Sequence, residues 1–473
     1  MQKQVPWALA IFVILLLATL LVHRGFDLSA AALAEESEES PGILLGAHIP
    51  PVDPSLGPNR LYYWQEIETF NQIVGRRHPI IMYFSDLTSG LGGYLFDQLR
   101  DKIDPSPVPY VQMDPLPNIE PSDLIHGFYD AQLLASAAGV KSFGKPVIIG
   151  FAHEFNLSKS IFYGDPAAYI AAFRYVHNLF DQAGATNAQW LWPPNYKSDR
   201  PYDSISDYTL YYPGDAYVDW IAVYGFNWGS DLTRGPGWVE YDYLFDDFLR
   251  NTACRYDRPL MVGPTGSVEG PGSKTAWIAN IYGAMRNYPN VRAIVWFNDF
   301  AYADPSEADF RVTVTSKYGA VPGPLPYYTA AYKTAMSSSS YLTEFPGYAE
   351  IKPEARSCFT IDTLPSGTLL EWGSHRTAKV LVNRAPIFST SVNIRVTGTP
   401  SGLQVTVNPS TLGPDTTYST IELYAADGTP TGAYTLNITA EADGLSESRT
   451  MYVLVVEEAL RHYLPLLGKG PAR

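Results

Sequence analysis

The chain has 473 residues, 46% of them hydrophobic, enough to build one large core and a second domain. Its formal net charge of -15, from 48 acidic against 33 basic residues, excludes the basic face that a phosphate backbone requires, so no nucleic-acid partner is expected. Aromatic residues make up 14%, led by 33 Tyr, a surplus that serves either a large core or stacking on sugar rings.

Residues Pro6 to Val22 are apolar apart from Thr19, preceded by Lys3 and followed by His23 and Arg24. This pattern is an export signal, and Ala32-Leu33-Ala34 offers an A-x-A cleavage site, so residues 1–34 are expected to be a signal peptide. The alternative is an uncleaved N-terminal anchor, since the run approaches the ~20 residues that span a bilayer. Either way the protein is expected outside the cytoplasm, secreted or anchored to the cell envelope, with membrane contact only through this segment. The acidic stretch 35–41 reads as a linker.

From Gly42 to about Asn298, short apolar runs alternate with longer amphipathic stretches, and the barrel domain they belong to is expected to span 42–346. Eight runs can be counted: Ile43–Ile49, Pro79–Asp86, Val108–Asp114, Pro146–Glu154, Ala188–Asn195, Val218–Asn227, Pro259–Ser267 and Val291–Asp299. Helix-like stretches such as Pro166–Ala183 lie between them, with Tyr169, Ala172, Tyr175, Leu179 and Phe180 at helical spacing. Eight β/α units predict a closed (β/α)8 TIM barrel. A doubly wound open sheet would show a Gly-rich phosphate turn after an early strand, and none is present.

A Ser-rich run, Ser337–Ser340, and Pro346-Gly347 mark a boundary, with 347–362 expected as a linker. Residues 363–458 change to period-2 strands at Thr377–Val382, Ser391–Val396, Leu403–Val407, Ser419–Tyr424, Ala433–Thr439 and Thr450–Val455. This predicts an immunoglobulin-like β-sandwich, with 459–473 as a basic tail. Cys254 and Cys358 are open to two readings, a disulfide tying the end of the first domain to a late barrel helix, or two free buried thiols. No His/Cys cluster has zinc-ligand spacing and no nucleotide or flavin motif occurs, so no metal or cofactor is expected.

In a TIM barrel the C-terminal strand ends carry the chemistry, which singles out Glu154 at the end of the fourth run, beside His153 and Asn156. A lone rim carboxylate is as often a satisfied structural group, so its surroundings decide. Asp86, Asp114 and Asp299 close the second, third and eighth runs. Asn195 and Asn227 close the fifth and sixth with amides suited to sugar hydroxyls. The seventh ends in Gly263-Pro264-Thr265-Gly266-Ser267 and meets no carboxylate until Glu269. Asp219 and Trp220 begin the sixth strand, where a structural role is expected, and His48 closes the first.

Several segments in order now carry a family likeness: Gly144-Lys145-Pro146-Val147-Ile148-Ile149 leading into His153-Glu154-Phe155-Asn156; Gly184-Ala185-Thr186-Asn187 before Trp190-Leu191-Trp192-Pro193-Pro194-Asn195; and Tyr211-Tyr212-Pro213-Gly214-Asp215 before Val218-Asp219-Trp220-Ile221. Gly266-Ser267, Lys274, Trp277 and Trp296-Phe297-Asn298 continue it. Over about Gly46 to Val312 the chain resembles glycoside hydrolase family 26, retaining endo-β-mannanases with relatives acting on mixed-linkage β-glucan. The resemblance implies that Glu154 is the general acid/base and that a nucleophilic Glu closes the seventh strand, where this chain has Pro264. Proline has no nucleophilic or titratable atom, so a covalent glycosyl intermediate cannot form through it. The family's Tyr that would orient the nucleophile is Phe226 here, and its Arg four residues before the acid/base is Gly150.

Three readings follow. In the first, the protein binds β-mannan or a related β-glycan without retaining hydrolysis, through His153, Tyr163, Trp192, Asn195, Tyr224, Asn227, Trp228 and Trp296. In the second, it is an active β-glycan endo-hydrolase in which Glu269 or Asp299 substitutes for the missing carboxylate; inversion would need carboxyl groups ~6.5–9.5 Å apart. In the third the domain is structural. Trp and Tyr at strand ends are more often packing than sugar platforms, and Trp228, in the polar loop Asn227-Trp228-Gly229-Ser230, stands clearest of that bias. A polysaccharide is the expected partner, and the chain is expected to be a monomer.

Overall fold

Eight parallel strands close on themselves in a computed structural model of the chain, which describes residues 42–50, 62–196, 207–288, 290–301, 308–313, 325–351 and 356–457. They are β1 (Ile43–His48), β2 (Ile80–Asp86), β3 (Val108–Asp114), β4 (Val147–Phe151), β5 (Ala188–Trp192), β6 (Trp220–Asn227), β7 (Leu260–Ser267) and β8 (Val291–Phe297). Each pairs with the next, and β1 closes the ring by pairing with both β2, Gly46 opposite Ile80, and β8, Leu44 opposite Ala293. Closure rules out the open doubly wound sheet. All eight apolar runs read from the sequence lie on these strands.

Burial on both faces explains why the runs are nearly continuous in apolar residues. Along β3, Val108 and Tyr110 join Leu44, Ile80, Met82, Ile148, Leu191 and Val295 in the lumen, while Val111 and Met113 pack outward under the helices. The helices are α1 (Tyr63–Val74), α2 (Tyr94–Lys102), α3 (Pro121–Ile125), α4 (Asp130–Phe143), α5 (Pro166–Gln182), α6 (Tyr241–Arg255), α7 (Lys274–Met285) and α8 (Leu325–Ala335). In α5 the Asp165 carboxylate accepts the Ala168 N–H at 2.9 Å and Pro166 occupies the first turn. That cap is worth about 1 kcal/mol and fixes which face, Tyr169, Ala172, Phe173, Val176 and Phe180, meets the barrel.

The N-terminal end of the barrel is plugged. Leu342 of β9 (Tyr341–Leu342), Phe345, and Tyr348 and Ile351 of α9 (Tyr348–Ile351) pack on the lumen cluster beneath Trp220. Asp219 accepts the Trp190 N–H at 2.8 Å, and the Trp220 indole donates to Gln189 at 3.2 Å, both structural bonds. The opposite end, where the strands' C-termini lie, is the face at which TIM barrels carry their functional sites.

The second domain stacks two sheets built from β10 (Phe359–Leu364), β11 (Gly367–Glu371), β12 (His375–Arg384), β13 (Val392–Thr397), β14 (Leu403–Asn408), β15 (Thr411–Leu412), β16 (Tyr418–Ala425), β17 (Gly432–Ala442) and β18 (Leu445–Val456). Their orders are β10-β12-β16-β14 and β11-β18-β17-β13-β15, antiparallel except for β11 beside β18. Six of these strands match the period-2 runs; β10, β11 and β15 do not. The span 347–362, expected as a linker, holds α9 and the start of β10, because Phe359 and Ile361 are buried in the sandwich core. Cys254, near the end of α6, forms a disulfide with Cys358, 104 residues on. In a chain-entropy description a closed loop of this length stabilises by about 4.7 kcal/mol. Two bonds reinforce the joint, Ser357 N–H to the Ala253 carbonyl at 2.9 Å and Ile387 N–H to Asn251 at 3.1 Å. The expected export segment, the 35–41 linker and the C-terminal tail lie outside the described residues; among the described residues no helix is long and apolar enough to cross a membrane.

Candidate functional site at the barrel mouth

Strand alternation determines what lines the open mouth. Two residues beyond each lumen-facing position comes the next side chain on the same face. After Gly46 on β1 this is His48, after Met82 on β2 Phe84, after Gln112 on β3 Asp114, after Tyr224 on β6 Phe226, and after Val295 on β8 Phe297. The rings touch in sequence: His48 lies flat on Phe297 at 4.7 Å and edge-on to Phe84 at 5.4 Å, and Phe84 meets His153 at 5.6 Å. Phe226 bridges Phe297 to Trp228, and Phe310 closes the group at 5.1 Å from both Phe226 and Trp228. Phe84 is 39% exposed, and Trp228 is half-buried with the Arg234 guanidinium 5.3 Å over its ring. The mouth is thus largely aromatic.

Glu154 enters it through an unusual backbone. Ala152 and Glu154 have φ of 51° and 52°, in the left-handed region that costs a non-glycine residue about 1 kcal/mol or more. Ladder-like bonds hold the turn: Ala152 N–H to the Met113 carbonyl at 3.0 Å, His153 N–H to Asp114 at 3.0 Å, and Glu154 N–H to the Pro193 carbonyl at 2.9 Å. As a result His153 and Glu154, adjacent in sequence, both face the mouth.

The Glu154 carboxylate is nearly buried, and each of its oxygens already has a partner. One oxygen accepts the Asn195 amide at 2.8 Å; the other lies 2.5 Å from the Lys159 ammonium and 3.9 Å from His153 Nε2. Asn195 is aimed by Asn156, whose side chain bonds both the Asn195 N–H and its carbonyl. Burial opposes ionisation of Glu154, but Lys159, His153 and the Asn195 amide together outweigh it and hold the carboxyl below its ordinary value. It is a carboxylate at neutral pH.

His153 belongs to a second group. Its Nδ1 lies 2.8 Å from the Asp114 carboxylate, which fixes the proton on that nitrogen and turns Nε2 towards Glu154. Burial works against the imidazolium, yet the charge and hydrogen bond of Asp114, with Glu154 behind it, raise the His153 pKa above its ordinary value. The imidazole stacks on Tyr224 at 5.3 Å; the Tyr224 hydroxyl donates to Gln112 at 2.8 Å and also meets the Tyr110 hydroxyl. Gln112 explains Gly150: a Cβ there would stand 2.2 Å from the Gln112 oxygen, so the space in front of Gly150 is taken by this network.

The remaining expected residues divide. Asn195, His153, Tyr224 and Trp228 are brought together at the mouth. Tyr163 lies half-buried at the end of the loop that carries Lys159. Trp192 and Trp296 point the other way, into the layer between strands and helices. Trp192 stacks on Phe155 at 5.5 Å, and the Trp296 indole donates to the Phe310 carbonyl at 3.0 Å, both fully buried. Asn227 is buried as well, its amide divided between Ser267 and the N–H groups of Gly229 and Val239. Neither its donor nor its acceptor side is presented to a ligand.

The acidic candidates are engaged elsewhere. Glu269 accepts the backbone N–H of Lys274 at 3.0 Å at the start of α7, and its charge and hydrogen bond, after burial, push the Tyr328 phenol up to about 12. Asp299 accepts the Phe300 N–H at 2.8 Å and faces His48 Nε2 at 3.6 Å, while His48 Nδ1 donates to the Met82 carbonyl. Asp86 caps its own turn through Thr88 and Ser89. Pro264 is buried where β7 slips register against both neighbours; the preceding Gly263, at φ 125°, leaves no room for a Cβ, which would lie 2.4 Å from the Val295 carbonyl oxygen. Sequence reasoning missed Lys159, Gln112, Phe84, Phe297 and Phe310. Because β2 and β8 are nearly continuous in apolar residues, their sequence does not show which residues, Phe84 and Phe297 among them, face the lumen side. No group of three or more His, Cys, Asp or Glu side chains able to hold a metal ion occurs among the described residues.

No family model matches the chain. It is similar to Endoglucanase H of Acetivibrio thermocellus, 30% identical over 226 residues, 46% of this chain and 23% of that protein, so the chain spans about a quarter of that relative's length. Among solved structures it is similar to a modular endo-β-1,4-mannanase of glycoside hydrolase family 26 from Cellulomonas fimi, with 15% identity, 88% of this chain and 95% of that one covered, and a TM-score of 0.46. It is also similar to the catalytic domain of a family 26 endo-β-1,4-mannanase from Bacillus sp. JAMB-750, with 16% identity, coverage of 66% and 90%, and a TM-score of 0.47.

Proposed function

We propose that this is an exported polysaccharide-directed protein of glycoside hydrolase type that binds a β-mannan or related β-glycan at the barrel mouth without retaining hydrolysis. The observation that carries this reading is the Lys159–Glu154 contact. A general acid must hold a proton at working pH and is normally tuned upward to do so. Glu154 is tuned downward. Pro264, at the place where the family resemblance expects a nucleophile, supplies no attacking atom. What is left suits recognition: the exposed ring of Phe84 and the half-buried ring of Trp228 for the apolar side of a sugar ring, with the Glu154 carboxylate and His153 Nε2 for hydroxyl groups. The similarity to an endoglucanase supports a glycan as the ligand class, and the disulfide suits an oxidising compartment outside the cytoplasm.

The test is affinity electrophoresis and calorimetry on β-mannan and mixed-linkage β-glucan, together with a long reducing-sugar incubation. Binding is expected, weakened by Trp228→Ala and by Phe84→Ala, with no sugar released. Turnover that disappears on Glu154→Gln would overturn the binding-only reading.

A further inference from the structure

On the flank of the barrel, a groove of about 790 Å3 runs between α6 and the end of α7. Besides the apolar Leu244, Phe248 and Ala284, its lining brings together four phenols, Tyr196, Tyr241, Tyr243 and Tyr288, with the charged Asp242, Asp246, Asp247 and Arg250. Packing does not require this composition. An interhelical groove on a barrel exterior is ordinarily filled by aliphatic side chains or edged by solvated Lys and Glu, whereas four phenols concentrated in one concavity resemble a ligand pocket.

The polar groups are already ordered. Asp246 accepts the Tyr288 hydroxyl at 2.7 Å and the Arg250 Nε–H at 2.9 Å, and the Arg250 guanidinium lies 5.2 Å over the Tyr288 ring. A carboxylate beside a guanidinium, each with further bonding capacity, matches the alternating donor and acceptor character of vicinal hydroxyl groups. Tyr243, 49% exposed, stands edge-on to Tyr196 at 6.4 Å, so the floor offers a ring face beside that polar pair. Three carboxylates against one guanidinium make the groove net negative, which disfavours uronic or sulfated sugars. Tyr196 also ties the groove to the mouth: it follows Asn195, the amide held against Glu154, and its N–H donates to the Tyr224 carbonyl at 2.9 Å.

We infer that this groove is a second carbohydrate site, taking a neutral β-linked hexose oligosaccharide, with the Tyr243 face as platform and Asp246 and Arg250 as hydroxyl partners. The inference rests on the glycan-directed reading proposed above, and it places a holding site beside the mouth, so that one chain of polysaccharide is gripped at two points.

The experiment is calorimetric titration of the full-length protein with mannohexaose and, separately, cellohexaose, for the parent, Tyr243→Ala and Trp228→Ala. Tyr243 is surface-exposed, so its loss leaves the fold intact, and Arg250→Lys serves as a second variant that keeps the charge but loses the planar fork. Two equivalents of ligand are expected for the parent and one for Tyr243→Ala, with the groove's affinity reduced about tenfold in Arg250→Lys. A single equivalent abolished by Trp228→Ala and untouched by Tyr243→Ala overturns the groove and leaves the mouth standing. A single equivalent abolished only by Tyr243→Ala keeps the groove and overturns binding at the mouth. Absence of binding by either hexasaccharide overturns both, and binding of a cationic glucosamine oligomer in place of the neutral ones overturns the assignment of ligand class.

Discussion

Replacing Lys159 by Met tests whether the Glu154 carboxylate is held ionised by its partner. The Glu154 side chain is 9% exposed and that of Lys159 58%, so the pair lies between two regimes. Removing one partner of a fully buried pair costs about 3–5 kcal/mol, and an exposed pair is worth about 0–1 kcal/mol. With one member wet, about 1–3 kcal/mol is expected at neutral pH, a fall of roughly 2–5 °C in the midpoint of barrel unfolding. The pH dependence has a definite sign. In the parent, the folded pKa of Glu154 lies below that of the unfolded chain, about 4.3, so its contribution is present above that pH and is lost as pH falls through the lower folded value. In the variant burial dominates, the folded pKa rises above the unfolded one, and stability falls as pH increases. The gap between parent and variant is therefore wide at pH 7 and closes in acid. Differential scanning fluorimetry at half-unit steps from pH 3 to 8 measures it, with Glu154→Gln as a background in which the gap should vanish throughout. A gap that does not change with pH, or that survives in Glu154→Gln, would refute the reasoning.

Asp114→Asn is expected to lower the His153 pKa below its ordinary value, because burial then acts without the Asp114 charge that now outweighs it; NMR titration of the imidazole reads this directly, and an unchanged pKa rejects the dyad. Gly150→Ala places a Cβ against the Gln112 oxygen that accepts from Tyr224, and should destabilise by about 1–3 kcal/mol in chemical denaturation; a neutral result would mean that the lumen network is slack.

The barrel was legible because its strands are buried on both faces, which writes each as an apolar run ending in a polar residue. Glu154 was legible for the same reason. What the runs do not record is phase. Leu191 and Val295 face the lumen, so Trp192 and Trp296 beside them must face the helices, but only pairing with neighbouring strands decides which of two adjacent residues turns inward. The misplacement of both tryptophans follows from that missing bit. β10 does alternate over Phe359-Thr360-Ile361-Asp362, and it was lost to the linker because it directly follows the boundary signals and Cys358 rather than a turn between strands. Lys159 was hidden differently: its approach to Glu154 depends on a left-handed turn at Ala152 and Glu154, a conformation that neither residue type advertises.

Lys159 also changes what a repair of the site requires. If Pro264 alone stood between this barrel and retaining catalysis, Pro264→Glu would restore hydrolysis. With Glu154 paired to Lys159, that single change supplies a second carboxylate but no proton donor, and is expected to be silent. Pro264→Glu combined with Lys159→Met frees Glu154 to take up a proton as burial raises its pKa, and Phe226→Tyr adds the phenol that would orient the new carboxylate. Reducing-sugar release from β-mannan is therefore expected to be absent in Pro264→Glu and present, though slow, in the double or triple variant. Both parts of the expectation are exposed to failure. Activity in Pro264→Glu alone would show that Lys159 does not restrain Glu154, whereas a folded triple variant that binds mannan and releases nothing would show that β7, with Gly263 wedged against Val295 and its register broken at Pro264, no longer delivers a side chain to the sugar.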